Sequence, residues 1–221
     1  MRIVIVAATG GIGRHLLAQA VEQGHEVTAV VRNPANLPAG TRAVAADLED
    51  DDLTALHTAF QGADAVLSGL GPRSPKQAGI TEPGTRKIVT AMEAVGVRRI
   101  VVVSAAPVGT VATPSRPHPP RHDPGDGFLM RHVMAPIVGR VLKEHYLDLA
   151  LMEDVLHQGG LDWTIVRPPR LTDKPVTGHY RTAYGQNIRG GLTVSRADVA
   201  HLMLDVLGRP ETVKQTIGVA T

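Results

Sequence analysis

The segment of this chain whose residue types point most directly to chemistry is Ala7-Ala8-Thr9-Gly10-Gly11-Ile12-Gly13. It follows the apolar run Arg2-Ile3-Val4-Ile5-Val6 and precedes a helical pattern that begins near Arg14. A strand that ends in glycines and opens into a helix binds phosphate. Missing side chains let a pyrophosphate approach the backbone, and free N–H groups at the helix start point at it. The helix dipole adds about half a positive charge there. A second chemical signal stands at the end of the next apolar run, Val30-Val31-Arg32-Asn33. An acid at that point bonds the ribose hydroxyls and repels a 2′-phosphate, favouring NAD. Here the residue is Arg32, whose guanidinium offers a fork of donors to phosphate. A charge-assisted hydrogen bond of about 1.5–3 kcal/mol corresponds to a preference for NADP(H) of roughly ten- to a hundredfold. Arg14 is either a second phosphate contact or a solvated charge.

These residues need a scaffold, and the hydrophobic pattern supplies one. Strands are predicted over 2–7, 26–31, 41–45, 63–67, 98–103 and 162–166, and helices over 13–23, 53–60, 84–95 and 147–157. Val4, Ile5 and Val6 are consecutive apolar residues, as are Ile100 to Val103. Such strands are buried on both faces, as in a parallel sheet covered by helices. The alternation predicts an α/β fold: a doubly wound, Rossmann-type sheet in a single domain over 1–221, with a small substrate-side portion at its C-terminal end. Residues 107–145 interrupt the pattern. Six prolines between Pro107 and Pro124 argue against a regular element, leaving either a loop over the active site or an exposed excursion. An apolar stretch from Phe128 to Leu142 then reads as a helix packed on the body of the domain.

Composition narrows the function classes. With 221 residues, 43% hydrophobic and 20% charged, the chain is long enough for a real core. No run approaches the ~20 apolar residues of a membrane helix. Zero cysteines exclude a disulfide scaffold and a thiolate nucleophile. Met1 leads directly into the first strand, which leaves no room for a cleavable signal, so a cytoplasmic location is expected. Of the 23 basic residues 18 are arginine, but they are scattered and only six residues are aromatic, which argues against nucleic acid.

The glycine turn resembles the Gly-Ala-Thr-Gly-x-x-Gly fingerprint of atypical short-chain dehydrogenases/reductases. Within them it is most similar to the NAD(P)H-binding group that contains flavin reductase/biliverdin-IX-beta reductase and the NmrA-like proteins. Ala7 stands where that family has its first glycine, and its methyl is expected to crowd the adenosine side modestly. The resemblance runs on through Val30-Val31-Arg32-Asn33-Pro34, Ala46-Asp47-Leu48, Gly69-Leu70-Gly71, Val103-Ser104-Ala105 and Leu161–Pro168. It implies that Asp47 accepts from the adenine amino group and that Leu48 covers the ring, unless Asp47 is a turn acid like the Glu49–Asp52 run that follows. It also implies that Ser104 contacts the nicotinamide or the acceptor, that Arg73 faces the acceptor or the phosphates, and that Pro168 and Pro169 lie beside the nicotinamide. Arg170 replaces a family histidine and would suit an anionic acceptor; Leu149 and Glu153 replace others.

The main branch of these enzymes uses a Tyr with a Lys four residues on. Tyr146, Tyr180 and Tyr184 are followed at that spacing by Ala150, Tyr184 and Ile188, so ordinary alcohol oxidation is not expected. The same lack argues against a nucleotide-sugar epimerase or dehydratase. His118, His122 and Asp123 could meet on a metal, but with ten histidines in the chain a chance grouping is the better reading, and no metal is expected. Ser195-Arg196-Ala197-Asp198 reads as a capping box, and Glu153 and Asp154 as a solvated helix face. The leading expectation is a reductase passing hydride from NADPH to a planar small molecule, a flavin, quinone or azo compound. Ser104, Arg73 and Arg170 would orient it, any flavin would act as substrate, and the protein would work as monomer or homodimer. The rival is a non-catalytic NADP(H) sensor of the NmrA-like type.

Overall fold

In the first strand, β1 (Arg2–Val6), Ile3 and Ile5 enter one hydrophobic core while Val4 and Val6 enter another. The period of two along a strand explains the unbroken apolar run, since both faces of the sheet are covered. The same split recurs in β5 (Arg99–Val103), where Ile100 and Val102 face one core and Val101 and Val103 the other. The computed structural model describes residues 1–72, 79–127 and 142–221. Arg73 and nearly all of the apolar 128–142 stretch lie outside them.

The remaining strands of the main sheet are β2 (Glu26–Val31), β3 (Arg42–Ala45), β4 (Ala65–Ser68), β6 (Asp162–Arg167), β8 (Arg181–Tyr184) and β10 (Gln215–Ala220). Their order is β3-β2-β1-β4-β5-β6-β10-β8, parallel throughout except for β8 against β10. A separate parallel pair joins β7 (Arg170–Thr172) to β9 (Thr193–Ser195). One face is covered by α1 (Gly13–Glu22) and α5 (Arg196–Asp205). The other is covered by α2 (Thr54–Phe60), α3 (Thr81–Val95) and α4 (Lys143–Gln158). This is the single-domain Rossmann-type sheet expected. Strand order reverses where β1 pairs with both β2 and β4, the switch point at which such sheets bind ligands.

Several boundaries differ from expectation for physical reasons. α3 begins at Thr81, not Gly84, because Pro83 falls in the first helical turn, where its missing N–H costs nothing. Two of the orphan amides of that turn, Thr81 and Glu82, donate to the buried carboxylate of Asp148 at 3.0 and 2.9 Å. The proline-rich segment does hold one regular element, a 3₁₀ turn over Ala106–Thr110, and its later residues Thr113 and Asp123 are buried. Strands β7 to β10 carried no readable alternation. Gly218 dilutes the apolar run of β10 because a Cβ there would overlap the carbonyl oxygen of Gln186.

The turn after β1 is closed by backbone. Gly10 N donates to Ala7 O at 2.8 Å. A Cβ on Gly13 would overlap that same oxygen and lie 2.9 Å from Ala8 Cα. Ala7 pays for the turn in strain: its φ is +58°, a left-handed conformation that costs an L-residue roughly 1–2 kcal/mol. The methyl expected to crowd the cofactor thus matters first to the backbone. Ala7→Gly should raise stability by about 0.5–1 kcal/mol after glycine's greater unfolded-state entropy is deducted. Gly13→Ala should lower it by about 1–3 kcal/mol. Denaturant midpoints measure both.

Candidate active site

A cavity of about 700 Å³ opens at the carboxyl ends of the strands around the switch point. Ala7 and Thr9 border it from the glycine turn, Arg32 and Asn33 from the end of β2, Asp47 and Leu48 from the end of β3, and Leu70 and Gly71 from the end of β4. Gly10, Gly11, Ile12 and Gly13 complete the turn beside it. Gly69 lets β4 approach the start of α1, where a Cβ would lie 3.2 Å from Gly13 N. The amides of Gly11 and Ile12 have no partner among the described residues. Arg32 is exposed and makes no ion pair among the described residues. Asn33 accepts from Ala35 N at 3.0 Å, capping a short 3₁₀ turn.

Asp47 does two things at once. Its Oδ1 accepts from Glu49 N at 3.1 Å, an Asx-type turn, while the exposed carboxylate borders the cavity. Asp52 accepts from Thr54 N at 2.9 Å, so the acid run does serve the start of α2. A side chain that the sequence did not single out holds this rim. Lys87 of α3 donates to the carbonyls of Glu49 and Asp50 at 3.0 and 2.8 Å and pairs with Asp51 at 3.1 Å. A glycine cradle, amides and a guanidinium without partners among the described residues, and a cavity of this volume fit a dinucleotide.

The other end of the site lies at the ends of β5 and β6. Here a smaller cavity of about 150 Å³ is bordered by Ala106, Arg167, Pro169, Asn187 and Val219. Pro168 accepts from Ala106 N at 2.9 Å, continuing the pairing of β5 and β6 past their ends. Ser104 is buried, and its Oγ donates to Glu153 Oε1 at 2.6 Å. Glu153 is 1% exposed, not on a solvated face, and accepts from Arg167 Nε at 2.9 Å and from Arg167 Nη2. The burial of Glu153 corrects the sequence reading; Asp154 is half-buried. With its proton given to Glu153, Ser104 offers only lone pairs to a ligand and can orient a donor but not protonate an acceptor. Arg170 is exposed and borders neither cavity.

The tyrosines also speak against acid–base work. Burial pushes Tyr146 up, and Tyr180 is pushed up to about 12 by burial first and then by Asp205 and Asp198. A catalytic tyrosine needs the opposite shift. The Tyr180 hydroxyl is instead within 2.7 Å of His201 Nδ1. His118 and His122 are exposed, while Asp123 is buried and accepts from Gly125 N at 2.9 Å and Asn187 N at 2.8 Å, so the three side chains do not converge. Ser195 caps α5 as expected, accepting from Asp198 N at 2.9 Å.

Removing Glu153 should strand Arg167, which is 6% exposed. We expect Glu153→Ala to cost about 3–5 kcal/mol of stability and Ser104→Ala about 1 kcal/mol, both measured by chemical denaturation.

Comparison with known proteins agrees with this geometry. Residues 7–210 match the family described as NAD(P)H-binding. An uncharacterized protein of Mycobacterium tuberculosis is 37% identical over 106 residues, 48% of this chain; the match spans only 12% of that protein's length. A 3-diazoavenalumate denitrifying reductase from a Streptomyces species is 32% identical over 116 residues, covering 48% of this chain and 38% of the enzyme. Among solved structures, the oxidoreductase ylbE of Lactococcus lactis superposes with a TM-score of 0.79 at 20% identity, over 100% of this chain and 91% of that one. The anaerobilin reductase ChuY of Escherichia coli O157:H7 gives 0.76 at 20%, over 100% and 97%. The glycine turn, the switch-point cavity and the match across nearly the whole chain lead to one conclusion: this protein belongs to the NAD(P)H-binding family.

Proposed function

We propose that the protein is an NADP(H)-dependent reductase acting on a planar small-molecule acceptor, a flavin, quinone or azo compound. The observation that carries the cofactor choice is Arg32: a guanidinium at the end of β2, bordering the large cavity and without an ion pair among the described residues. It suits a 2′-phosphate. When bound, NADPH supplies hydride from its nicotinamide. The protein's own share is to hold and aim. The glycine turn admits a diphosphate, Asp47 and Leu48 receive the adenine end, and Ser104, its proton held by Glu153, accepts from an amide at the nicotinamide end. Arg167 and Pro169 border the small cavity for the acceptor. Rate then comes from stacking two planar groups in register. Flavin reduction suits this site because solvent can deliver the proton that follows. A relative named as a 3-diazoavenalumate denitrifying reductase and a structural neighbour named as an anaerobilin reductase support an acceptor of this kind. The protein works as a monomer or homodimer with small molecules as partners.

The raised tyrosines and the committed Ser104 proton favour one second reading, an NADP(H) sensor without turnover. Following NADPH consumption with free flavins, quinones and azo dyes, against a protein-free control, separates the two. Saturable turnover with one class is expected; tight NADPH binding with none would replace the reductase by the sensor. In a parallel binding titration, Arg32→Ala should weaken NADPH by roughly ten- to a hundredfold and leave NADH nearly unchanged. Equal losses would remove Arg32 from the 2′-phosphate.

A further inference from the structure

The glycine turn has a neighbour at the start of α5. A Cβ built on Gly11 would lie 2.8 Å from Nε and 3.0 Å from Cδ of Arg196, so the arginine occupies the space that a side chain at residue 11 would fill. Arg196 is the first residue of α5. Its backbone is fixed by the Ser195 cap and by Gln19 Nε2, which donates to Ala197 O at 2.9 Å and ties α5 to α1. Arg196 Nη1 donates to Asp173 Oδ1 at 2.9 Å, and Arg14 Nη2 reaches the same oxygen at 3.5 Å. Two guanidiniums thus share one carboxylate that is 70% exposed, leaving a positive charge over. His15, next in α1, registers the excess. Burial first and then Arg14 lower its proton affinity, Asp173 raises it, and Arg196 lowers it again. The amides of Gly11 and Ile12, without a partner among the described residues, lie in the same turn.

We propose that Arg196, together with Arg14, grips the diphosphate of the dinucleotide, and that Asp173 is a stand-in anion that holds both guanidiniums poised until the diphosphate takes them. This rests on the reading of the switch-point cavity as a dinucleotide site. A diphosphate offers two negative charges where Asp173 offers one, and its oxygens can accept from the guanidinium forks and from the turn amides together. Asp173, freely hydrated, loses little on release. Arg32 would distinguish NADPH from NADH, whereas Arg196 addresses the group both share.

The test is direct titration of NADPH and NADH, followed by cofactor fluorescence, into the wild type, Arg196→Gln, Asp173→Asn and Arg32→Ala. Circular dichroism and unfolding midpoints accompany each variant. Arg196→Gln should weaken both cofactors by about tenfold and leave their ratio unchanged. Asp173→Asn should tighten both severalfold, because the arginines lose their competitor. A merely structural cluster would make both variants bind worse. Weakening by Asp173→Asn, or unchanged affinity in Arg196→Gln, overturns the proposal while wild-type binding still upholds the dinucleotide site. A wild type that binds neither cofactor sinks the underlying reading instead.

Discussion

The ion pair between Glu153 and Arg167 is the interaction on which most of the architecture at the carboxyl ends of β5 and β6 depends. Both groups are almost wholly buried, and each loses several kcal/mol of hydration that only close, multiply bonded geometry returns. That geometry ties α4 to the carboxyl ends of β5 and β6, with Ser104 completing the set. The network also extends outward. A Cβ on Gly109 would lie 2.9 Å from Arg167 Nη1 and 3.2 Å from Asp123 Oδ2, so the proline-rich segment can pass only because residue 109 has no side chain. Asp123 in turn takes the amides of Gly125 and Asn187, which border the small cavity. The buried pair and Asp123 thus lie against two loops that contain little regular structure of their own.

Helix α4 serves the cofactor side as well. Asp148, one and a half turns before Glu153, is buried and accepts from the amides of Gly79, Thr81 and Glu82. It places a carboxylate on the positive end of α3, whose first residues border the large cavity. A single helix thus fixes both the rim of the large cavity and Ser104 at the end of β5. Its buried acids are the reason it lacks a clean apolar stripe.

This is also where sequence reading reached its limit. The glycine turn, Arg32, the ends of β3 and β4 and the doubly buried strands were legible, because each rests on local rules: glycine where backbone must approach, and apolar continuity where both faces are covered. Glu153 looked solvated because a charged residue on a helix usually is, and its partner lies on a strand fourteen residues on in sequence. The closing motif Leu161–Pro168 did contain Arg167, directly after the apolar Ile165-Val166 at the end of a strand. A charge in such a place demands a buried counter-charge, and that was the available signal. Arg196 was hidden for another reason: it sits inside a capping box whose structural role is real, and nothing local reports that its side chain reaches Gly11. The edge strand β8 is mostly exposed, so it carries no apolar alternation to read.

Strand β8 precedes β10 in the chain but lies outside it in the sheet, and β10 is its neighbour there. Its place at the sheet edge is therefore held through β10, which joins it to β6. Asn187, Ile188, Gly190, Gly191 and Leu192, which wall the small cavity, belong to the connection between the two strands. The small cavity therefore depends on this edge, and fraying here would open it while the glycine turn after β1 stays intact.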